Sequence, residues 1–205
     1  MNIRVLTHSS ILVENEGKNI YFDPFNIKDN SLKADYIFIT HDHFDHFSLE
    51  DINKIKKDDT IFILPFTFKG NVNSKNVYFV KPYDNLNIDE LHVNVRPAYN
   101  INKRFHPKEN NWVGYILNIN NTSIYVMGDT DALEENIRLD VDYLLIPIGG
   151  TYTMNKEEAA DFTNKLNPKF VIPIHYGQVV GSENDGLAFK ALINKNIEVL
   201  VKKEY

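Results

Sequence analysis

Positions 41–46 read His-Asp-His-Phe-Asp-His, three histidines and two aspartates in six consecutive residues, directly after the run Tyr36-Ile37-Phe38-Ile39-Thr40. Few structural roles call for such a cluster. Imidazole and carboxylate together suit a borderline divalent ion, zinc by default with manganese or iron as alternatives, whereas magnesium and calcium sites are built from oxygen alone. If the backbone stays extended as it leaves the apolar run, His41, His43 and Asp45 share one side and His46 turns to another. One short segment then offers two ligands to one ion and two to a neighbour. The competing readings are a histidine-rich surface loop and a small structural site with one ion. Structural zinc sites close four protein ligands around the ion, often with cysteine, and catalytic sites keep a position open for water. The chain has no cysteine.

The elements that must position this chemistry show one regularity. Asp23, His41, Asp129 and His175 each follow the end of an apolar run, at 20–22, 36–40, 125–127 and 171–174, directly or after one glycine. In layered α/β folds, ligands collect in the crevice at one set of strand ends. Singly, an aspartate after a strand is more often a turn former or helix cap, and a histidine a satisfied surface group. Four such residues beside the cluster at 41–46 are together candidates for one site.

At 205 residues, with 43% apolar and 24% charged residues, the chain fits one domain, 1–205, that buries a sizeable core. A net charge of -6 argues against a partner held through a broad basic surface, so no nucleic acid is expected. No run reaches the roughly eighteen apolar residues of a membrane span, and the start lacks the apolar stretch of a signal peptide. The default location is cytoplasmic, with which the absence of cysteine agrees.

The periodicity predicts strands at 3–6, 10–14 and 19–22, the last two joined by the turn Glu16-Gly17-Lys18. A helix at 49–57, with Ser48 as N-cap, and a strand at 60–64 follow the histidine cluster. Runs at 77–80, 85–88 and 91–95 read as an antiparallel sheet edge. Residues 112–119 and 122–127 form a hairpin across Asn120-Asn121, followed by a strand at 140–148. A helix over 154–166 opens on Asn155 and Glu158, a variant capping box, ahead of a strand at 170–174 and a final helix at 185–194.

On these residues the chain resembles a known family. Thr-His-Asp-His-Phe-Asp-His at 40–46 is the His-x-His-x-Asp-His signature of the metallo-β-lactamase superfamily. Met127-Gly128-Asp129-Thr130 and Ile174-His175-Tyr176 resemble its later aspartate and histidine motifs, and His8-Ser9-Ser10 and Tyr21-Phe22-Asp23-Pro24 its opening strands. The stretch from Ile148-Gly149-Gly150 to Met154 is similar to the branch of small hydrolases around ascorbate-phosphate lactonase and the phospholipase D that cleaves N-acylphosphatidylethanolamine. The resemblance implies an α/β fold, a four-layer αβ/βα sandwich of two mixed sheets flanked by helices, with two divalent metal ions. Carried over, His41 and His43 would ligate the first ion, Asp45, His46 and His175 the second, and Asp129 would bridge them. Asp23 would orient a ligating histidine. Two ions about 3.5 to 4 Å apart share a water and lower its pKa towards about 7. Asp45 would act as the catalytic acid-base group. The substrate would be a small molecule with an ester-type bond, a phosphodiester, lactone or related group.

One position departs from the family pattern. A histidine is expected after the strand that here reads Val93-Asn94-Val95-Arg96-Pro97-Ala98-Tyr99, and Asn100 stands there instead. Either the Asn100 amide oxygen ligates, or His106 swings in from the polar loop 100–111, or one ion suffices; His106 is equally a candidate for substrate contact. Lys103, Arg104, His106 and Lys108 could hold an anionic substrate and Trp112 could offer an apolar wall, although a solvated polar loop explains these residues as well. The loss at Asn100 also motivates a different class of function, a non-catalytic metal-binding or interaction domain.

Overall fold

The computed structural model describes residues 1–202, which divide into two compact units, residues 1–80 with Lys202, and residues 81–201. The first unit is one six-stranded mixed sheet. β1 (Asn2–Thr7), β2 (Ser10–Asn15) and β3 (Lys18–Phe22) form an antiparallel meander. β4 (Tyr36–Phe38), β5 (Ile61–Pro65) and β6 (Val77–Val80) then add on in order, each parallel to its predecessor. β1 alternates buried Ile3, Val5 and Thr7 with more exposed neighbours, as a strand with one solvated face does. β4, flanked on both sides by parallel strands, is buried throughout.

Between β4 and β5 lies α1 (Leu49–Ile55), started by the Ser48 hydroxyl, which accepts from the Asp51 N–H. Ile52 and Ile55 of α1 enter a core with Leu12, Tyr21, Ile37, Ile39 and Phe62. Asp51, in the first turn of α1, holds the loop after β3 by accepting from the backbone N–H groups of Asn26 (2.8 Å) and Ile27 (3.0 Å), and it pairs with Lys54 at 2.9 Å. Burial pushes its carboxyl up, but the Lys54 ammonium, the Ser48 hydroxyl and the two backbone donors outweigh that and hold it below its ordinary range. A depressed carboxylate contributes stability above its unfolded pKa and loses it as pH falls through the folded value. Asp51→Asn should therefore destabilise the fold by about 1–3 kcal/mol at neutral pH. The gap to wild type in urea unfolding should narrow below about pH 4. An equally wide gap in acid would remove the carboxylate charge as its cause.

The second unit repeats the plan. β7 (Asn85–Ile88), β8 (Leu91–Pro97), β9 (Val113–Ile119) and β10 (Thr122–Val126) are successively antiparallel. β11 (Tyr143–Pro147), β12 (Phe170–Ile174) and β13 (Glu198–Val199) extend the sheet from β10 in parallel. Asn120 and Asn121, both left-handed at φ 49° and 61°, make the turn between β9 and β10. α2 (Lys156–Leu166) begins with both halves of the capping box, Asn155 accepting from Glu158 N–H and Glu158 from Asn155 N–H. Its Ala159, Ala160, Phe162 and Leu166 share a core with Leu144, Ile146, Val171 and, from α3 (Asp185–Leu192), Phe189. Among the described residues, no helix is long and apolar enough to cross a membrane.

One expectation is corrected here, and one strand was not foreseen. The runs at 77–80, 85–88 and 91–95 are not one antiparallel edge: β6 pairs in parallel with β5 in the first sheet, and only β7 and β8 form a hairpin. Periodicity marks a strand but not its partner. β13, two residues long, is too short to leave a periodic signal.

Candidate metal centre

Each unit builds its own cluster of histidines and carboxylates. In the first, β3 and β4 run parallel, so their C-terminal ends share one edge of the sheet, bringing Asp23 and the segment after β4 together. Ile39 N–H still bonds Ile63 O across the sheet, but Thr40 N–H turns to the Asp23 carboxylate at 2.8 Å. The ladder stops there. Beyond it the chain curls, with the N–H groups of both His46 and Phe47 donating to the His43 carbonyl at 3.0 and 2.8 Å. The expectation that His41, His43 and Asp45 share one side of an extended strand therefore fails. The turn instead gathers the rings: His41 and His46 centroids lie 4.0 Å apart, His41 and His43 4.7 Å.

Hydrogen-bond accounting around buried Asp23 assigns the ring protons. Asp23 Oδ2 accepts from the Thr40 hydroxyl and from His46 Nδ1, both at 2.7 Å. The Thr40 hydroxyl has thereby used its one hydrogen, so at 3.0 Å from His41 Nδ1 it can only accept. One carboxylate thus fixes two histidines in the tautomer that carries hydrogen on Nδ1 and a lone pair on Nε2. Burial pushes the Asp23 carboxyl up from its ordinary value, and His46 and Thr40 pull it back.

His41 Nε2 lies 3.1 Å from His43 Nδ1. Two nitrogens held by one tetrahedral zinc at about 2.05 Å each are separated by about 3.3 Å, so the two rings already stand at the spacing of a shared ion. Nearby, Asp45 Oδ2 lies 3.2 Å from His8 Nε2 and 3.8 Å from His46 Nε2. The donor set, imidazole and carboxylate without thiolate, fits a divalent transition metal. His8 is the residue that sequence reasoning missed. It is buried and left-handed at φ 44°, as Asp23 is at φ 46°. Non-glycine residues held there cost energy, and such strain gathers at functional sites. Its place in His8-Ser9-Ser10, which resembles a family opening strand, is the signal that could have marked it.

In the second unit, parallel β10, β11 and β12 bring Asp129 and His175 to one sheet edge although 46 residues separate them. His175, left-handed at φ 56°, sets Nε2 3.0 Å from Asp129 Oδ2. Gly149 permits the approach, since a Cβ there would come within 2.4 Å of the His175 carbonyl oxygen. His106 reaches the same carboxylate oxygen at 3.2 Å. Its loop is pinned for this: Asp131 N–H donates to Tyr99 O at 2.9 Å, and Asp131 Oδ2 accepts from Ile101 N–H at 2.8 Å. Asn100 faces His106, accepting from its backbone N–H at 3.0 Å.

Of the other loop residues, Lys103 pairs with Asp131 at 2.5 Å, and Lys108 bonds the Tyr99 hydroxyl at 3.2 Å while lying over that ring. Trp112 is buried edge-on against His106. Arg104 is exposed, next to Phe105, which stacks edge-on with Tyr152.

Comparison with known proteins agrees with these features. The sequence pattern of the β-lactamase superfamily domain matches residues 2–175. A UPF0173 protein from Pyrococcus furiosus is 32% identical over 95% of this chain and 92% of its own length. A UPF0173 metal-dependent hydrolase from Carboxydothermus hydrogenoformans is 30% identical over 86% and 84%. Among solved structures, a candidate metal-dependent hydrolase from Parabacteroides distasonis matches with a TM-score of 0.83 at 29% identity, covering 98% of this chain and 91% of that one. A metallo hydrolase from Ignicoccus hospitalis matches in fold with a TM-score of 0.81 at 23% identity, covering 98% and 94%. Two mixed sheets flanked by helices are the αβ/βα elements that the sequence led one to expect.

Proposed function

Because the chain belongs to the β-lactamase superfamily, we propose that it is a metal-dependent hydrolase that cleaves an ester-type bond, a phosphodiester, lactone or related group, in a small substrate at a dinuclear centre. The observation that carries this reading is the Asp23 carboxylate, buried at a strand end and spent on fixing His46 directly and His41 through Thr40. A histidine needed only for packing has no use for a fixed tautomer, whereas a ligand does. The Carboxydothermus relative, named a metal-dependent hydrolase, supports the same reaction class.

In this reading, which is what the family resemblance implies, His41 and His43 would hold the first ion and Asp45, His46 and His175 the second, with Asp129 as the carboxylate they would share. Zinc fits the donor set best, with manganese or iron as alternatives. When bound, such ions supply Lewis acidity to the scissile group and make water acidic enough to react near neutral pH. The chain's own residues do the rest. Asp23 and Thr40 hold the imidazoles in place, and Asp45 takes up the proton released by the attacking water and returns it to the leaving oxygen. Residues 1–205 act as one metallo-β-lactamase-like domain, a reading supported by a family match that runs through both compact units. Arg104 is the exposed cation available to an anionic substrate group, with Phe105 and Tyr152 as an apolar surface.

Elemental analysis after loading with zinc, manganese and iron in turn, followed by a panel of phosphodiester, lactone and simple ester substrates, tests the proposal. Wild type should retain metal through desalting and turn over at least one substrate class. A His41→Ala/His43→Ala variant should retain less metal and show no turnover. Equal metal retention by the two proteins would sink the metal-centre reading, and retained metal with no turnover would favour a non-catalytic metal-binding domain.

A further inference from the structure

We infer that His106 supplies the imidazole that the family pattern leads one to expect at position 100, and that Asn100 is the positioning residue that makes it a ligand. The inference rests on the metal-centre reading above and concerns the second unit alone.

The two ends of the Asn100 amide face chemically different partners. One end lies 2.9 Å from the Tyr152 carbonyl oxygen and 3.3 Å from Asp131 Oδ1. Both of these accept hydrogen bonds, a carbonyl always and the carboxylate while ionised and paired with Lys103, so this end is the NH2. The other end faces the backbone N–H of His106 at 3.0 Å, a group that can only donate, so it is the oxygen. The orientation of the amide is therefore determined by its partners.

That oxygen also lies 3.2 Å from His106 Nδ1. A ring nitrogen facing an amide oxygen must carry the hydrogen, so Nδ1 is the donor, and in the neutral ring, the form that ligates, Nε2 keeps its lone pair. Nε2 is the atom that lies 3.2 Å from Asp129 Oδ2. At that spacing the nitrogen and the carboxylate oxygen share a cation, a proton on Nε2 in the metal-free protein or a metal ion in its place when one is bound. The same oxygen lies 3.0 Å from His175 Nε2, so Asp129 stands between two imidazoles as a bridging carboxylate would. Asn100 itself is buried, its oxygen engaged by His106 within the loop and its NH2 group by Tyr152 and Asp131 outside it. The imidazole stands six positions beyond the place the family pattern gives it, and Asn100 at that place holds its ring.

The lone tryptophan provides a local reporter, since the Trp112 ring centroid lies 5.5 Å from that of His106. Zinc titration of wild type, His106→Ala and Asn100→Ala, read by bound metal per chain and by Trp112 fluorescence, tests the inference without any substrate. His106→Ala is expected to bind one zinc ion fewer per chain and to lose the zinc-dependent fluorescence change. Asn100→Ala keeps the ring and is expected to keep the stoichiometry with affinity about 10–100-fold weaker. Circular dichroism of the metal-free proteins separates loss of a ligand from loss of fold. If His106→Ala does not fold, the decision passes to Asn100→Ala. A wild type that binds zinc beside a folded His106→Ala with the same stoichiometry and affinity overturns the ligand role, and undiminished affinity in Asn100→Ala overturns the positioning role. A wild type that takes up no metal overturns the proposed function itself.

Discussion

Asp129→Ala should bind fewer metal ions per chain and lose roughly a thousandfold or more in kcat/KM on whichever substrate wild type cleaves, because a carboxylate at a metal centre is worth several kcal/mol to the transition state. Asp129 is buried, and its Oδ2 is approached by both His106 and His175. The stability of the metal-free protein should move the other way or not at all. A buried carboxylate kept for function carries a desolvation cost, and relieving such a cost is a common route to stability gained at the expense of function. The combination to look for is lost metal with a melting temperature, measured without metal, at or above that of wild type. A variant that keeps its metal and its turnover would remove Asp129 from the centre. A variant that loses metal only because it has unfolded would show Asp129 to be structural.

Asp23→Asn should weaken metal binding about 10–100-fold, as loss of an outer hydrogen-bond partner does, and cost the fold about 1–3 kcal/mol for the buried donor left unmatched. The substitution keeps the side chain's shape, so the effect is electronic. The Thr40 backbone N–H can only donate, and it will claim the single amide oxygen, since that N–H faces Oδ1 in the wild type at 2.8 Å. The new NH2 group then faces His46 Nδ1 and the Thr40 hydroxyl, where Oδ2 accepted two hydrogens. Donor meets donor, and the His46 ring must shift its proton to Nε2, where the lone pair was. The Thr40 hydroxyl is freed to donate to His41 Nδ1, which presses that ring towards the same wrong tautomer. Competition with a zinc chelator measures the affinity, and urea unfolding of the metal-free protein measures the stability. Loss of stability with unchanged zinc affinity would make Asp23 a packing residue only.

The cluster at 41–46, the signature built on it and the strands that end in Asp23, Asp129 and His175 are all legible in the sequence. Residue type and short spacing carry the ligand chemistry, and apolar runs of period two or of unbroken hydrophobicity mark the strands that deliver it. Helix starts are legible for the same local reason: Ser48, Asn155 and Glu158 act on backbone groups within three residues.

Wherever a partner lies far along the chain, only the tertiary structure decided. That β6 joins the first sheet and β7 the second depends on which edge is open when each strand arrives, and no local pattern encodes it. His8 meets Asp45 across 37 positions because its backbone adopts a left-handed turn that its side chain does nothing to announce. The inference drawn for His106 at the gap left by Asn100 rests on hydrogen bonds from loops some thirty and fifty residues away, Asp131 and Tyr152, which orient one amide and through it one ring. Sequence lists the groups able to ligate. Which nitrogen carries the proton, and so which ring can ligate, is set by directional bonds that exist only once the chain has folded.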